Sequence, residues 1–367
     1  MAIIGAGITG LSVAFHLRER AGATVVVVDR AGVGAGASGV QPGGIRQQWG
    51  TRVNCLMARA SLRFYRELVA RLDARVDPGF RACGYMFVAH SEAALDGLRA
   101  NVRVQRELGI PSLLLTPAEA ADVVPGLDPA TVVGASFCEE DGYFDRPQSV
   151  VEAFADAVRR RGVSIEHGGA TLRKSGEGWV IEAGSVQLRA AAVVIAAGEW
   201  TPAVVPDVPI RAEPRYLFLS DRISERLLEP LVVSLDRRVA AKQLADGRLL
   251  ASDLAATGEG WEDERSRATI RATIRRLLPR LEYVPLAHVV AGAYDVTPDR
   301  QAILGPVPGH EGLFVAAGFS GHGFMMAPEV GRLVAGAVLG DEPEQALREL
   351  SPDRFARGKL VPEPAVV

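Results

Sequence analysis

Three glycines in the first ten residues define the chemistry to look for. The run Gly5-Ala6-Gly7-Ile8-Thr9-Gly10 follows an apolar triplet and precedes a helical pattern. In that setting Gly5 permits a tight turn, Gly7 lets backbone approach a pyrophosphate, and Gly10 lets the helix pack on the strand. The helix N-terminus that follows, with Ile8 and Thr9 of the turn beside it, offers unpaired N–H groups and partial positive charge to phosphate oxygens. Asp29 ends the next apolar run, where a carboxylate bonds a ribose hydroxyl, and Arg30 follows it. A structural turn that binds nothing is the alternative, and it leaves the strand, helix and acid unexplained. The motif specifies a dinucleotide without saying which one.

Three further runs add to it. Ala35-Gly36-Ala37-Ser38-Gly39 and Gln41-Pro42-Gly43-Gly44-Ile45-Arg46 form a long small-residue stretch that suits backbone wrapped around an extended cofactor. A surface loop is the alternative there, since Gly and Ser also punctuate loops. Arg46 can serve an anion or the electron-rich edge of a flavin. Ala196-Ala197-Gly198-Glu199-Trp200 ends a buried run and lets the chain pass close under a dinucleotide. Late in the chain, Phe314 to Ala317 run into Gly318-Phe319-Ser320-Gly321-His322-Gly323-Phe324. A strand, a glycine turn and a helix start would aim N–H donors at the negative N1–C2=O2 locus of a reduced flavin. His322 is a candidate base, although a lone His among glycines is as often a packing residue.

These turns need strands and helices to hold them. Apolar runs predict buried strands over residues 2–4, 24–28, 163–165, 192–197 and 313–317. Helical spacing predicts helices over 11–20, 51–72, 92–108, 116–124, 147–161 and 262–278, with a closing helix near 328–339. A further strand is predicted over 85–89, and a hairpin from 179–182 with 186–189. Segments with buried strands and Gly turns therefore alternate with segments of mixed α+β character.

Composition narrows the classes. A chain of 367 residues fits two domains or one large α/β unit. A net charge of -3 lacks the basic excess of a nucleic-acid binder. Cys55, Cys83 and Cys138 are scattered and form no CxxC, which argues against a disulfide framework or a zinc site. Apolar stretches break before the ~20 residues a membrane span needs. Residues 1–10 show no basic leader, so a cytoplasmic protein without a membrane span is expected.

Together the four glycine-bearing runs resemble the FAD-dependent amine and amino-acid oxidoreductases of the D-amino-acid oxidase superfamily. That group includes sarcosine oxidase, glycine oxidase and the β-subunit of dye-linked L-proline dehydrogenase. The resemblance spans nearly the whole chain and is strongest over 2–49, 192–200 and 292–339. It implies an α/β plus α+β fold: a glutathione-reductase-type FAD-binding Rossmann domain interleaved with a mixed-sheet substrate domain. The FAD domain would comprise 1–75, 145–209 and 290–367, and the substrate domain 76–144 and 210–289. The implied cofactor contacts also take in Gly169, Ala170, Gly292 and Met325.

The resemblance implies oxidation of the C–N bond of a secondary amine or amino acid to an imine, by hydride transfer to flavin N5. Electrons would pass to oxygen or to another redox partner. Sarcosine oxidases place a flavin-linking Cys where Gly292 stands, so non-covalent FAD is expected. Their substrate-carboxylate Arg and Lys align with Trp49 and Met325, and the Arg of glycine oxidase aligns near Tyr294. Carboxylate binding would then fall to Arg46, Lys242, His322 or Tyr294, with Arg46 first because a bidentate Arg is the better anchor. Trp49 and Tyr294 could instead box a substrate cation or ring. The rival readings are a flavin-binding subunit of a heteromeric dye-linked dehydrogenase and an NAD(P)-dependent dehydrogenase. The latter predicts one contiguous Rossmann domain and no use for the late Gly-His-Gly turn.

Overall fold

The computed structural model describes residues 1–256 and 263–365. Its nucleotide-type sheet has six strands drawn from separated parts of the chain. Ala2–Ile4 lies at the centre, parallel to Val26–Asp29 on one side and Val193–Ile195 on the other. Ser164–His167 extends the first side and Leu313–Ala317 the second, both parallel, and Ile303–Pro306 closes the edge antiparallel. Side chains alternate between faces. Ile3, Val27, Val194 and Ala316 pack with Leu11, Phe15, Phe154 and Val330 of the helices Ile8–Ala21, Pro147–Arg160 and Gly323–Val338. Ile4, Val28, Val193 and Val315 turn the other way, onto Trp179 and Ile181 of an antiparallel meander. Both faces are covered, which is why these strands read as continuous apolar runs.

The second sheet has eight strands, antiparallel except where Leu231–Ser234 runs parallel to Tyr85–Ala89. One face carries Met86, Val88, Phe218, Leu249 and Ala251 against Ile270, Ile274 and Leu277 of the helix Asp263–Leu277. The alternate residues, among them Tyr85, Arg215, Leu217, Lys242 and Leu250, face a cavity.

Four expectations change. The helix expected over 51–72 is interrupted at Glu67 (φ -101°, ψ 7°), giving Arg52–Arg66 and Leu68–Leu72. The hairpin gains a third strand, Ala170–Ser175, whose largely exposed Arg and Lys hide it from an apolar search. The closing helix starts at Gly323 and contains Pro328. Proline there cannot donate to the carbonyl four residues back, and that carbonyl, Phe324 O, accepts the Tyr65 hydroxyl instead. Finally, His288–Val296 pairs with Arg211–Arg222 in the eight-stranded sheet. The third segment of the nucleotide fold, expected from 290, therefore begins after this strand. The helix expected over 262–278 is Asp263–Leu277, and residue 262 lies outside the described residues.

Candidate cofactor and redox site

The first glycine turn is built by close backbone contact. Gly5 has φ +115°, and a Cβ there would fall 2.2 Å from Ala196 O. A Cβ on Gly10 would fall 2.0 Å from Gly5 O. The helix Ile8–Ala21 starts at Gly7 with no side-chain cap of its own. Instead Ile8 N donates to Ser38 Oγ at 3.1 Å, so the second small-residue loop folds over the helix end. Asp29 ties the same region together. Its Oδ2 accepts from Ala6 N at 2.7 Å, and its Oδ1 from Ala31 N and Gly32 N at 2.8 and 2.7 Å. Oδ1 is filled by its two donors, but Oδ2 keeps a second lone pair, so a ribose hydroxyl can still be bound there.

These residues open into a cavity of about 530 Å³, within the range of cofactor and ligand pockets. Gly5, Gly7, Ile8, Thr9, Asp29 and Arg30 line one end. Ala37, Ser38, Gln41, Gly44 and Arg46 run along a side, with Gly169 and Ala170 near the nucleotide end. Ala196, Ala197, Gly198 and Trp200 form another wall, where the Arg30 guanidinium lies 3.5 Å over the half-exposed Trp200 ring. Gly292, Ser320, Gly321, His322, Gly323, Phe324 and Met325 line the far end.

Four expected cofactor contacts do not reach the cavity. Gly10 is packed on the Gly5 carbonyl. Gly43 (φ +77°) lies against Phe144 O, and Ile45 is core. Gly318 (φ +75°) faces Thr297 and donates its N–H to Asp295 Oδ2 at 2.7 Å. All four shape the walls from behind.

The late turn mirrors the early one. The helix Gly323–Val338 begins at His322, again without a side-chain cap. Two uncapped helix N-termini thus meet one cavity, each a natural site for negative charge. Asp295 braces the late turn through Gly318 N and, by its backbone oxygen, through Ser320 N at 3.1 Å. Burial pushes the Asp295 carboxyl up to about 6, against the opposing effect of the N–H groups around it. Tyr294 covers Gly321 so closely that a Cβ there would lie 2.4 Å from its ring.

Beyond this turn the walls become aromatic and cationic. His322 is buried, packs 4.8 Å from Trp49, and neither ring nitrogen has a protein partner. Burial, then the Arg46 charge, lowers its pKa to about 3, so the ring is neutral. Arg46 lies 3.5 Å over Trp49, donates to Gln48 O, and donates to Ala365 O at 2.7 Å. Trp49 is itself core, with its indole N–H on Arg46 O at 3.2 Å. Burial raises the Tyr294 hydroxyl above its ordinary value and the Tyr85 hydroxyl to about 12.

Lys242 is almost wholly buried, 4.1 Å over the Tyr143 ring, with Nζ on Phe144 O at 3.2 Å. Burial lowers its pKa to about 7.

Sequence reasoning missed Arg215. It lines the cavity, sits 4.7 Å over the Tyr294 ring, and pairs with Glu213, while its Nε is buried and unpartnered. The available signal was Glu213 and Arg215 standing two apart, on one face of a strand that becomes apolar.

Among the described residues, no group of three or more His, Cys, Asp or Glu is placed to hold a metal ion. No helix among them is long and apolar enough to cross a membrane.

Comparison with known proteins agrees with this geometry. Among solved structures, L-proline dehydrogenase from P. horikoshii superposes with a TM-score of 0.90 at 25% identity, over 98% of both chains. Glycine oxidase from Geobacillus kaustophilus superposes with a TM-score of 0.86 at 26% identity, over 96% of this chain and 98% of that one. In sequence, FAD-dependent oxidoreductase domain-containing protein 1 of Xenopus laevis is 27% identical over 92% of this chain and 78% of its own length. The profile of the family described as FAD dependent oxidoreductase (DAO) matches residues 1–337. The chain belongs to that family, and is a flavoenzyme that uses FAD.

Proposed function

We propose that the chain oxidises the C–N bond of an amino acid to an imine, and that Arg215 with Arg46 supplies the positive end that receives the substrate carboxylate. The observation that carries this reading is the shared cavity: a dinucleotide cradle at one end and two buried guanidinium groups at the other. FAD, when bound, supplies the acceptor for two electrons and a proton from the substrate.

The chain's own residues do the rest. The two uncapped helix ends receive negative charge on the cofactor's phosphates and ring. Gly292 has no side chain that could link to FAD, which favours a non-covalently held cofactor. Arg215 offers its unpartnered Nε to a carboxylate while Glu213 holds its other end. Leu217, Leu231 and Leu250 of the large sheet, with Leu254 just past the strand Arg248–Asp253, give the same cavity an apolar lining that suits a hydrophobic substrate body. Tyr294 and Trp49 are flat walls of the chamber. His322, neutral and with both nitrogens free, is a hydrogen-bonding group; its lowered pKa makes it a weak base. Met325 gives the wall an uncharged side chain. The electron acceptor is oxygen or a redox partner.

The test is direct. Purified protein should be yellow and release FAD on acid denaturation, and a colourless protein needing NADPH would overturn the reading. Under anaerobic conditions, amino acids and secondary amines should bleach the flavin. Bleaching by 2-hydroxy acids alone would remove the amine claim. Turnover with an artificial dye but not oxygen would identify a dehydrogenase.

A further inference from the structure

The carboxyl-terminal strap, residues 361–365, reaches the redox end of the cavity from behind. Glu363 is nearly buried, and its carboxylate bridges the start of the helix Arg52–Arg66. Oε1 accepts from Gly50 N at 2.8 Å. Oε2 accepts from Thr51 N at 3.1 Å, Thr51 Oγ1 at 2.6 Å and Asn54 Nδ2 at 3.0 Å. Thr51 makes no side-chain cap for that helix. Glu363 therefore provides, from 312 residues away, the negative charge and acceptors that a helix N-terminus lacks.

The strap is itself anchored. Val361 N donates to Asp299 Oδ2 and Glu363 N to Asp299 O, both at 3.2 Å. Asp299 in turn holds Arg354 through two bonds of 2.8 and 2.9 Å. Pro364 fills the space beside Gly50, where a Cβ would lie 2.3 Å from its ring. The carbonyl of Ala365 then takes the Arg46 guanidinium at 2.7 Å. Arg46 stacks on Trp49, and Trp49 on His322. A continuous path of contacts thus runs from the strap to three residues that line the cavity.

We infer that this strap positions the redox end of the site, with Glu363 as its positioning residue acting through Arg46. A strap that served stability alone would need no bond to a guanidinium facing the cofactor cavity. With the strap seated, one Arg46 N–H group is tied to Ala365 and the cation is held flat on Trp49. With it released, that donor is free to turn toward the cavity, and the charge near the flavin moves. The inference does not depend on the substrate being an amino acid, because cofactor properties report it.

The experiment compares Glu363→Gln, Glu363→Ala, Arg46→Lys and the double variants. FAD affinity is measured by titrating apoprotein, the flavin reduction potential on FAD-replete protein, and kcat and KM on whatever substrate bleaches the flavin. Glu363→Gln and Glu363→Ala should each weaken FAD binding by about tenfold and shift the potential, and a third variant, Glu363→Asp, should recover part of both. In the Arg46→Lys background the Glu363 substitutions should have little further effect. Folded Glu363→Ala with wild-type FAD affinity and potential overturns the inference, as do additive effects with Arg46→Lys. If Glu363→Ala does not fold, the near-isosteric Glu363→Gln decides by the same readings.

Discussion

Replacing Lys242 with Met should make the apoprotein more stable near neutral pH, and the gain should disappear at high pH. Lys242 sits on the cavity face of the large sheet with Nζ bonded to Phe144 O, and among the described residues Asp145 is the nearby carboxylate that opposes the effect of burial. Burial takes its pKa from 10.5 to about 7. At ~1.4 kcal/mol per pKa unit, that shift corresponds to about 5 kcal/mol of preference for the neutral amine in the folded state. The sign follows from proton counts. Between pH 7 and 10.5 the unfolded chain holds a proton that the folded chain has lost, so stability rises with pH by up to ~1.4 kcal/mol per unit. Below about pH 7 both states are protonated and the full cost is felt. Met keeps the volume and removes the titration, while losing the bond to Phe144 O, worth about 1 kcal/mol. The variant should therefore gain on the order of 3 kcal/mol at pH 7 and nothing by pH 10.5. Urea denaturation of both proteins at a series of pH values measures the difference directly, and other titrating groups cancel. A stability difference that is flat from pH 7 to 10 would refute the argument.

Three other substitutions probe the cradle and the chamber. Gly5→Ala forces a Cβ onto the Ala196 carbonyl at φ +115°; the purified variant should carry little FAD, read as the flavin-to-protein absorbance ratio, and lose on the order of 1–3 kcal/mol from backbone strain alone. Asp29→Ala frees the N–H groups of Ala6, Ala31 and Gly32; fluorimetric titration should show FAD affinity falling by about 10- to 100-fold. Arg215→Gln, made together with Glu213→Gln so that no buried charge is left unpaired, should raise KM for carboxylate-bearing substrates by about 10- to 100-fold. Its flavin affinity and its KM for amines lacking a carboxylate should stay near wild type, and an equal loss on both kinds of substrate would show general damage to the pocket.

Local pattern carried much of the fold because the relevant signals are short-range. Residues 2–29 read as strand, glycine turn, helix and strand, and that is how they fold. Tyr85–Ala89 and the late strand Leu313–Ala317 were legible to the residue. What escaped depends on distant partners. The start of the helix Gly323–Val338 was hidden because Pro328 looks like a helix opener, and its cost is offset by Tyr65, 259 residues from Phe324. For Arg215, the Glu213–Arg215 spacing signals a charged pair on one strand face but does not say that this face meets a cavity. Glu363 was overlooked because its helix lies at the other end of the chain. Among the cofactor contacts, Gly10, Gly43, Ile45 and Gly318 carried the right residue types but sit one layer behind the wall, a distinction of depth that spacing alone does not encode.

The central strand of the six-stranded sheet has a consequence for how the molecule comes to exist. Ala2–Ile4 precedes its neighbour Val193–Ile195 by about 190 residues, and the next strand out, Leu313–Ala317, comes later still. During synthesis the strand can pair early with Val26–Asp29, but its other side must wait for Val193–Ile195, far downstream. Such non-local closure is slow and invites aggregation. A ligand that bridges both glycine turns would then act as a late staple on the nascent protein, and riboflavin supply during expression should govern the soluble yield.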